Sequence, residues 1–115
     1  MNIAIQGSKK FNDYQVFMRA MGVALSDLGD GGVANIYTVG PHKVNSFLAG
    51  FVNLTEDGMK ARGMGIRWHK VSHNWLRDSL DTIDYFIYLS RPKEYPSALC
   101  ANAEKKDIEV GIFRY

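Results

Sequence analysis

Apolar positions along this chain fall into short unbroken runs and longer stripes at helical spacing, and the two alternate from one end to the other. Ile3-Ala4-Ile5 is a run without polar interruption, which predicts a central strand covered on both faces. Asn12-Asp13 then caps a helix in which Tyr14, Phe17, Met21, Leu25 and Leu28 recur at spacings of three and four, and Gly29-Asp30-Gly31-Gly32 stops it. A second strand, Ala34 to Val39, closes at Gly40-Pro41, and Val44, Phe47, Leu48 and Phe51 give a second helical stripe. From Leu54 to Gly65 the signal weakens, because Gly58, Gly63 and Gly65 oppose the helix that Lys60, Ala61 and Arg62 favour. That stretch reads as helix, break, then a short helix or loop.

Ile66 to Val71 alternates and predicts a third strand near a sheet edge with one wet face. Ser72-His73-Asn74 turns the chain and caps a short helix from Trp75 to Leu80. Tyr85 to Leu89 is the most strand-like run, and one of Tyr85 and Tyr88 must face inward. A loop from Ser90 to Tyr95 leads through Pro96, read as a first-turn proline, and Ser97 into a helix ending near Lys106. Ile108 to Phe113 is the last strand. Strict alternation of strand and helix implies parallel pairing through right-handed crossovers, hence an α/β three-layer sandwich with a mainly parallel five-stranded sheet, in one domain over residues 1–115.

In such sheets the ligand cleft lies beyond the carboxyl ends of the strands. The chain places Gly7, Ser8, Lys9 and Lys10 there, then Gly40, Pro41, His42, Lys43 and Asn45, then Ser72, His73 and Asn74, then Ser90 and Arg91. Hydroxyls, amides and cations collect on this rim, with no carboxylate before Glu94, which suits an anionic or polar ligand. The same residue types also occur wherever strands end, so the pattern is equally that of a rim that only turns the chain.

Composition narrows the partners. Lys and Arg total 14 against 12 Asp and Glu, a net charge of +2, without the basic excess that drives nucleic-acid binding. Lys9-Lys10, Lys105-Lys106 and Arg62 to Lys70 read as solvated basic spots. Cys100 is the single cysteine, which excludes an intramolecular disulfide and a thiolate zinc site and predicts a buried thiol. With no signal peptide and no apolar run near 18 residues, a cytoplasmic protein without membrane contact is expected. His69 and His73 straddle a strand end rather than sharing a helical face, and no metal or other cofactor is expected. Of the carboxylates a ribosyl-cleaving enzyme would need, only Glu94 sits on a loop free to reach inward, and Tyr95 is the aromatic best placed to stack a base.

The run IAIQGSKKFNDY, residues 3–14, resembles the opening of the SLOG superfamily, the Rossmann-like group of YspA- and YpsA-like proteins, DprA and the LOG phosphoribohydrolases. Gly7-Ser8 match that opening, Lys9 stands for its arginine, Phe11 for its aromatic, and Asp13-Tyr14 close it. In TVGPHKVN, residues 38–45, Gly40 is kept, His42 stands near the family's arginine and Asn45 near its aspartate; His73-Asn74 and Asp84 before Tyr85 echo a third landmark. The resemblance runs in order along nearly the whole chain. It implies a Rossmann-like fold and a nucleotide or nucleotide-derived ligand at Gly7, Ser8, Lys9, Gly40, His42, Asn45 and Asn74, to which the reading of the rim adds Lys43, Ser90 and Arg91. Catalytic LOG members carry a Pro-Gly-Gly-x-Gly-Thr turn followed by a glutamate, whereas SRPKEYPSALCANAE, residues 90–104, has no glycine. The resemblance therefore implies binding without turnover, as a sequestering or regulatory module, with a LOG-type N-glycosidase acting through Glu94 as an alternative. A further alternative is a small phage protein whose pocket is lost and which modulates a larger host enzyme, such as an aminoacyl-tRNA synthetase. Members of the family are often dimers or tetramers, and Phe47, Phe51 and Trp75 add apolar surface that predicts a homodimer.

Overall fold

In the computed structural model, which describes residues 1–26, 28 and 31–115, strands β1 (Asn2–Gly7), β2 (Val33–Thr38), β3 (Gly65–Lys70), β4 (Tyr85–Ser90) and β5 (Glu109–Arg114) pair in the order β3-β2-β1-β4-β5. Every pairing is parallel. Helices α1 (Tyr14–Leu25) and α2 (His42–Ala61) cover one face; α3 (His73–Asp78), a 3-10 turn at Leu80–Thr82 and α4 (Ala98–Lys105) cover the other. The expected α/β three-layer, Rossmann-like sandwich is the architecture found.

The two central strands owe their place to uninterrupted apolar side chains. Ile3, Ile5, Ile87 and Leu89 turn toward α1 and α2, while Ala4, Phe86 and Tyr88 turn toward α3 and α4, and all six residues of β4 are buried. Both tyrosines of β4 face inward, Tyr85 into one layer and Tyr88 into the other, where a single inward ring was expected. α1 begins where the Asp13 carboxylate accepts a hydrogen bond from the Val16 N–H at 3.0 Å, a cap that satisfies an otherwise orphaned donor. It ends at Leu25, earlier than the apolar stripe suggested, and Leu28 packs on the same core from beyond the helix. Of the predicted stop at Gly29 to Gly32, residues 29 and 30 lie outside the described residues, and Gly31 has a φ of +82°.

Two corrections to the sequence reading bear on the site. The predicted break after Leu54 is absent: α2 runs through Gly50 and Gly58 for 20 residues, and the turn comes at Gly63, with a φ of +69°. A glycine costs a helix about 1 kcal/mol, which the burial of Val44, Leu48 and Phe51 and, to a smaller extent, the Glu56–Lys60 pair at 3.2 Å offset. Pro96, in turn, is not in the first turn of the last helix. It precedes the cap Ser97, whose Oγ accepts from the Cys100 N–H at 3.2 Å, so proline takes no donor from the start of α4. α3 starts two residues earlier than predicted, on a Ser72 cap that accepts from the Trp75 N–H.

The Cys100 side chain is fully buried, and burial, reinforced by the nearby Glu104 charge, pushes its thiol from 9.0 up to about 11. Such a group holds its proton in the folded chain while the unfolded chain releases it, so its contribution is intact below pH 9 and is lost as pH rises toward 11. The melting temperature is expected to fall over that window, and less steeply in Cys100→Ala; a native thiol that reacts with a disulfide reagent as fast as the unfolded one does would contradict its burial. No helix among the described residues is long and apolar enough to cross a membrane.

Candidate functional site

Strand order reverses between β1 and β4, so the crevice beyond their carboxyl ends is where this fold opens a cleft. Three adjoining cavities line it. One of about 450 Å³ lies among Ser8, Lys9, Lys10, Arg91, Pro92 and Glu94. A second, of about 340 Å³, shares Ser8 and Lys9 with it and reaches Gln6, Gly40, Pro41, His73 and Tyr88. A third, of about 230 Å³, shares Gln6 and His73 with the second and adds Asn74, Arg77, Ser97 and Asn102.

The turn after β1 is closed by its own hydrogen bonds. Gly7 N–H donates to the Gly40 carbonyl at 3.1 Å, Ser8 N–H to the Leu89 carbonyl at 2.8 Å, and Phe11 N–H to the Ser8 carbonyl at 3.0 Å. Those donors hold strand ends together and do not form a phosphate cradle. Gly7 is required by close packing: a Cβ there would lie 2.8 Å from Val44 Cγ2 and 3.1 Å from Pro41 Cδ. Ser8 is 4% exposed, and its hydroxyl is hydrogen-bonded to the Tyr115 hydroxyl, while Phe11 is a buried wedge set edge-on to Tyr115 and Phe47. Lys9 and Lys10 are exposed, which leaves the side-chain ammoniums as the charge this turn offers.

The loop after β4 is similarly well tied. Glu94 accepts from the Tyr88 hydroxyl at 2.9 Å with one oxygen and from the Arg91 N–H at 3.0 Å with the other. Burial, then the bond to Glu94, raises the Tyr88 phenol from 10.0 to about 12, so it remains a donor throughout the neutral range. Arg114 donates to the Arg91 carbonyl at 2.9 Å and to the Ser90 hydroxyl at 3.3 Å, and Ser90, 1% exposed, donates to that same carbonyl. The carboxylate nearest the crevice is thus a fastener of its own loop. Across the crevice Gln6, 8% exposed, accepts from the Ser97 hydroxyl and sets its amide nitrogen 3.4 Å from His73 Nε2.

Among the residues singled out in the sequence, the cavities bring together Gly7, Ser8, Lys9, Gly40, Asn74 and Arg91. His42, Lys43, Asn45 and Ser90 line none of the three. His42 and Lys43 are exposed at the start of α2, with the Lys43 ammonium 5.7 Å from the Phe47 ring centre, and Asn45 is buried with its Oδ1 unpartnered. Ser90 is turned inward, as described. Gln6, Ser97, Arg77, Asn102 and Tyr115 were not picked out. Gln6 left one trace, as the lone polar side chain between the apolar run and Gly7; Tyr115 left none, because its partner stands 107 positions away. Tyr95 is 91% exposed, and Trp75 stacks on Tyr37 with ring centres 5.0 Å apart. Among the described residues no three His, Cys, Asp or Glu side chains gather as a metal site. The sequence matches no protein-family model and no curated protein, so the residues of the crevice themselves carry the functional reading.

Proposed function

We propose that this protein binds a phosphate-bearing, nucleotide-type ligand in the crevice between β1 and β4 and does not turn it over, acting as a sequestering or regulatory module. The observation that carries the reading is the 450 Å³ cavity flanked by Lys9, Lys10 and Arg91, whose one carboxylate, Glu94, has both oxygens engaged by Tyr88 and the Arg91 N–H. Three cations without a free acid favour an anion by charge, and side chains rather than backbone amides would hold it. The polar wall of Gln6, His73 and Asn74 suits the base or sugar end. The resemblance of residues 3–14 to the SLOG opening supports the nucleotide part of the reading. An N-glycosidase is disfavoured, because Glu94 would have to surrender two hydrogen bonds to act as acid or base.

The test is to purify the protein, denature it and identify any released nucleotide by mass spectrometry, alongside a Lys9→Ala/Arg91→Ala double variant. Recovery of a nucleotide from the wild type is expected, with at least a tenfold loss of affinity in the double variant, about 1.4 kcal/mol or more. A double variant that retains the nucleotide, or a wild type that neither carries one nor melts higher with any of a nucleotide panel, overturns the proposal. Turnover of a nucleoside monophosphate that Glu94→Gln abolishes would replace it with the enzymatic reading.

A further inference from the structure

We propose that the outer edge of β3 docks an acidic, extended peptide segment of a partner protein, which joins the sheet as a sixth strand. β3 is the edge strand beside β2, paired in unbroken register from Val33↔Gly65 to Thr38↔Lys70. The Gly65 N–H donates to the Gly32 carbonyl and the Val71 N–H to the Thr38 carbonyl, which fixes the alternation. In a parallel ladder alternate residues bond one neighbour with both groups, so the N–H and C=O of Ile66, Trp68 and Lys70 point outward. The strand carries no proline and no bulge to spoil that edge.

The side chains along the edge define what would pair there. Arg67, Trp68, His69 and Lys70 are all exposed, and no carboxylate lies on the strand. On the α3 face, the His69 ring stacks on Tyr37 at 4.8 Å, Tyr37 stacks in turn on Trp75, and His69 Nε2 lies 3.3 Å from Asn35 Oδ1. On the α2 face, the indole N–H of Trp68 donates to the Thr38 hydroxyl at 2.9 Å. The strand therefore meets a partner as a fixed edge with cations on both faces, and the nearby Glu56 is paired with Lys60.

Charge complementarity selects the occupant. A second copy pairing through β3 would bring Arg67 and Lys70 of one chain against those of the other. A nucleic acid would satisfy the cations but leave the outward row of N–H and C=O groups unmatched. A peptide backbone matches that row, and acidic side chains match the cations on either face.

The probe is a fluorescein-labelled octapeptide, Val-Val-Glu-Glu repeated twice, which sets glutamates on both faces of an extended strand, followed by fluorescence anisotropy. Saturable binding is expected, weakened at least about tenfold by Arg67→Glu and by full backbone N-methylation, which leaves the charge unchanged. Lys70→Pro, which removes an outward N–H as well as a charge, is expected to weaken binding more than Lys70→Ala. If Lys70→Pro does not fold, the N-methylated peptide carries the comparison. The proposal is overturned if the N-methylated peptide binds as well as its parent, if an oligothymidylate of equal length binds more tightly, or if light scattering shows a homodimer that Lys70→Ala preserves and Lys70→Pro dissociates.

Discussion

Alanine in place of Phe86 is expected to lower the unfolding free energy by about 3–5 kcal/mol. The ring is fully buried at the centre of β4, flanked in register by Ala4 of β1 and Val110 of β5. Because Ala4 is small, Phe86 fills the volume under Leu76, Leu80 and Leu99, and α3 itself contributes Leu76 as its buried residue. A layer this thin has little with which to close the cavity, so the cost should sit at the upper end of its range. For a domain of this size that corresponds to a fall of roughly 12–25 °C in melting temperature, a large share of a total stability of about 5–15 kcal/mol. Thermal and urea unfolding followed by circular dichroism measure it. A loss below about 1 kcal/mol would mean that the α3–α4 layer is loosely packed.

Gly7→Ala is expected to be the second largest loss, about 1–3 kcal/mol, through overpacking. The new methyl would lie 2.8 Å from Val44 Cγ2, 3.1 Å from Pro41 Cδ and 3.3 Å from Phe11 Cβ, and Val44 and Phe11 are themselves buried. None of these atoms is the free end of a flexible side chain. The experiment separates two reasons for a glycine at this turn: if it served only to let a phosphate approach, alanine would lower ligand affinity and leave unfolding in the absence of ligand unchanged. The packing account expects the midpoint in urea to fall with no ligand present.

The layered fold was legible because its signals are local. Ile3-Ala4-Ile5 and Tyr85 to Leu89 have no polar side chain to expose, so they could be central strands, and the caps at Asp13, Ser72 and Ser97 mark where helices begin. The reading failed where a tertiary gain overrode a propensity, as at Gly58 inside α2. It also failed where a proline one position outside a cap looks, in sequence, like one inside. The rim was legible as a region, since parallel topology places every strand's carboxyl end on one side. Which rim residues face the crevice was not. Ser90 and Asn45 turn inward, and Ser8 is held by a tyrosine on the far side of the sheet order, decisions set by contacts 24 and 107 positions apart for the two serines.

The junction of β1 and β4 has a consequence for how the chain acquires its structure. β1, β2 and β3 follow one another closely, so their pairings close short loops. The pairing of β1 with β4, clasped by the Asn2 N–H on the Asp84 carboxylate and the Asp84 N–H on the Asn2 carbonyl, joins positions 82 apart. Its closure entropy exceeds that of the shorter connections, and long-range parallel pairing is slow. The shorter pairings, β1–β2, β2–β3 and β4–β5, are therefore expected to form first and the β1–β4 junction last, so the crevice is completed late in folding. A ligand bridging Lys9 and Arg91 would act after that step, and it would prolong the life of the folded state by slowing unfolding while leaving the rate of folding unchanged.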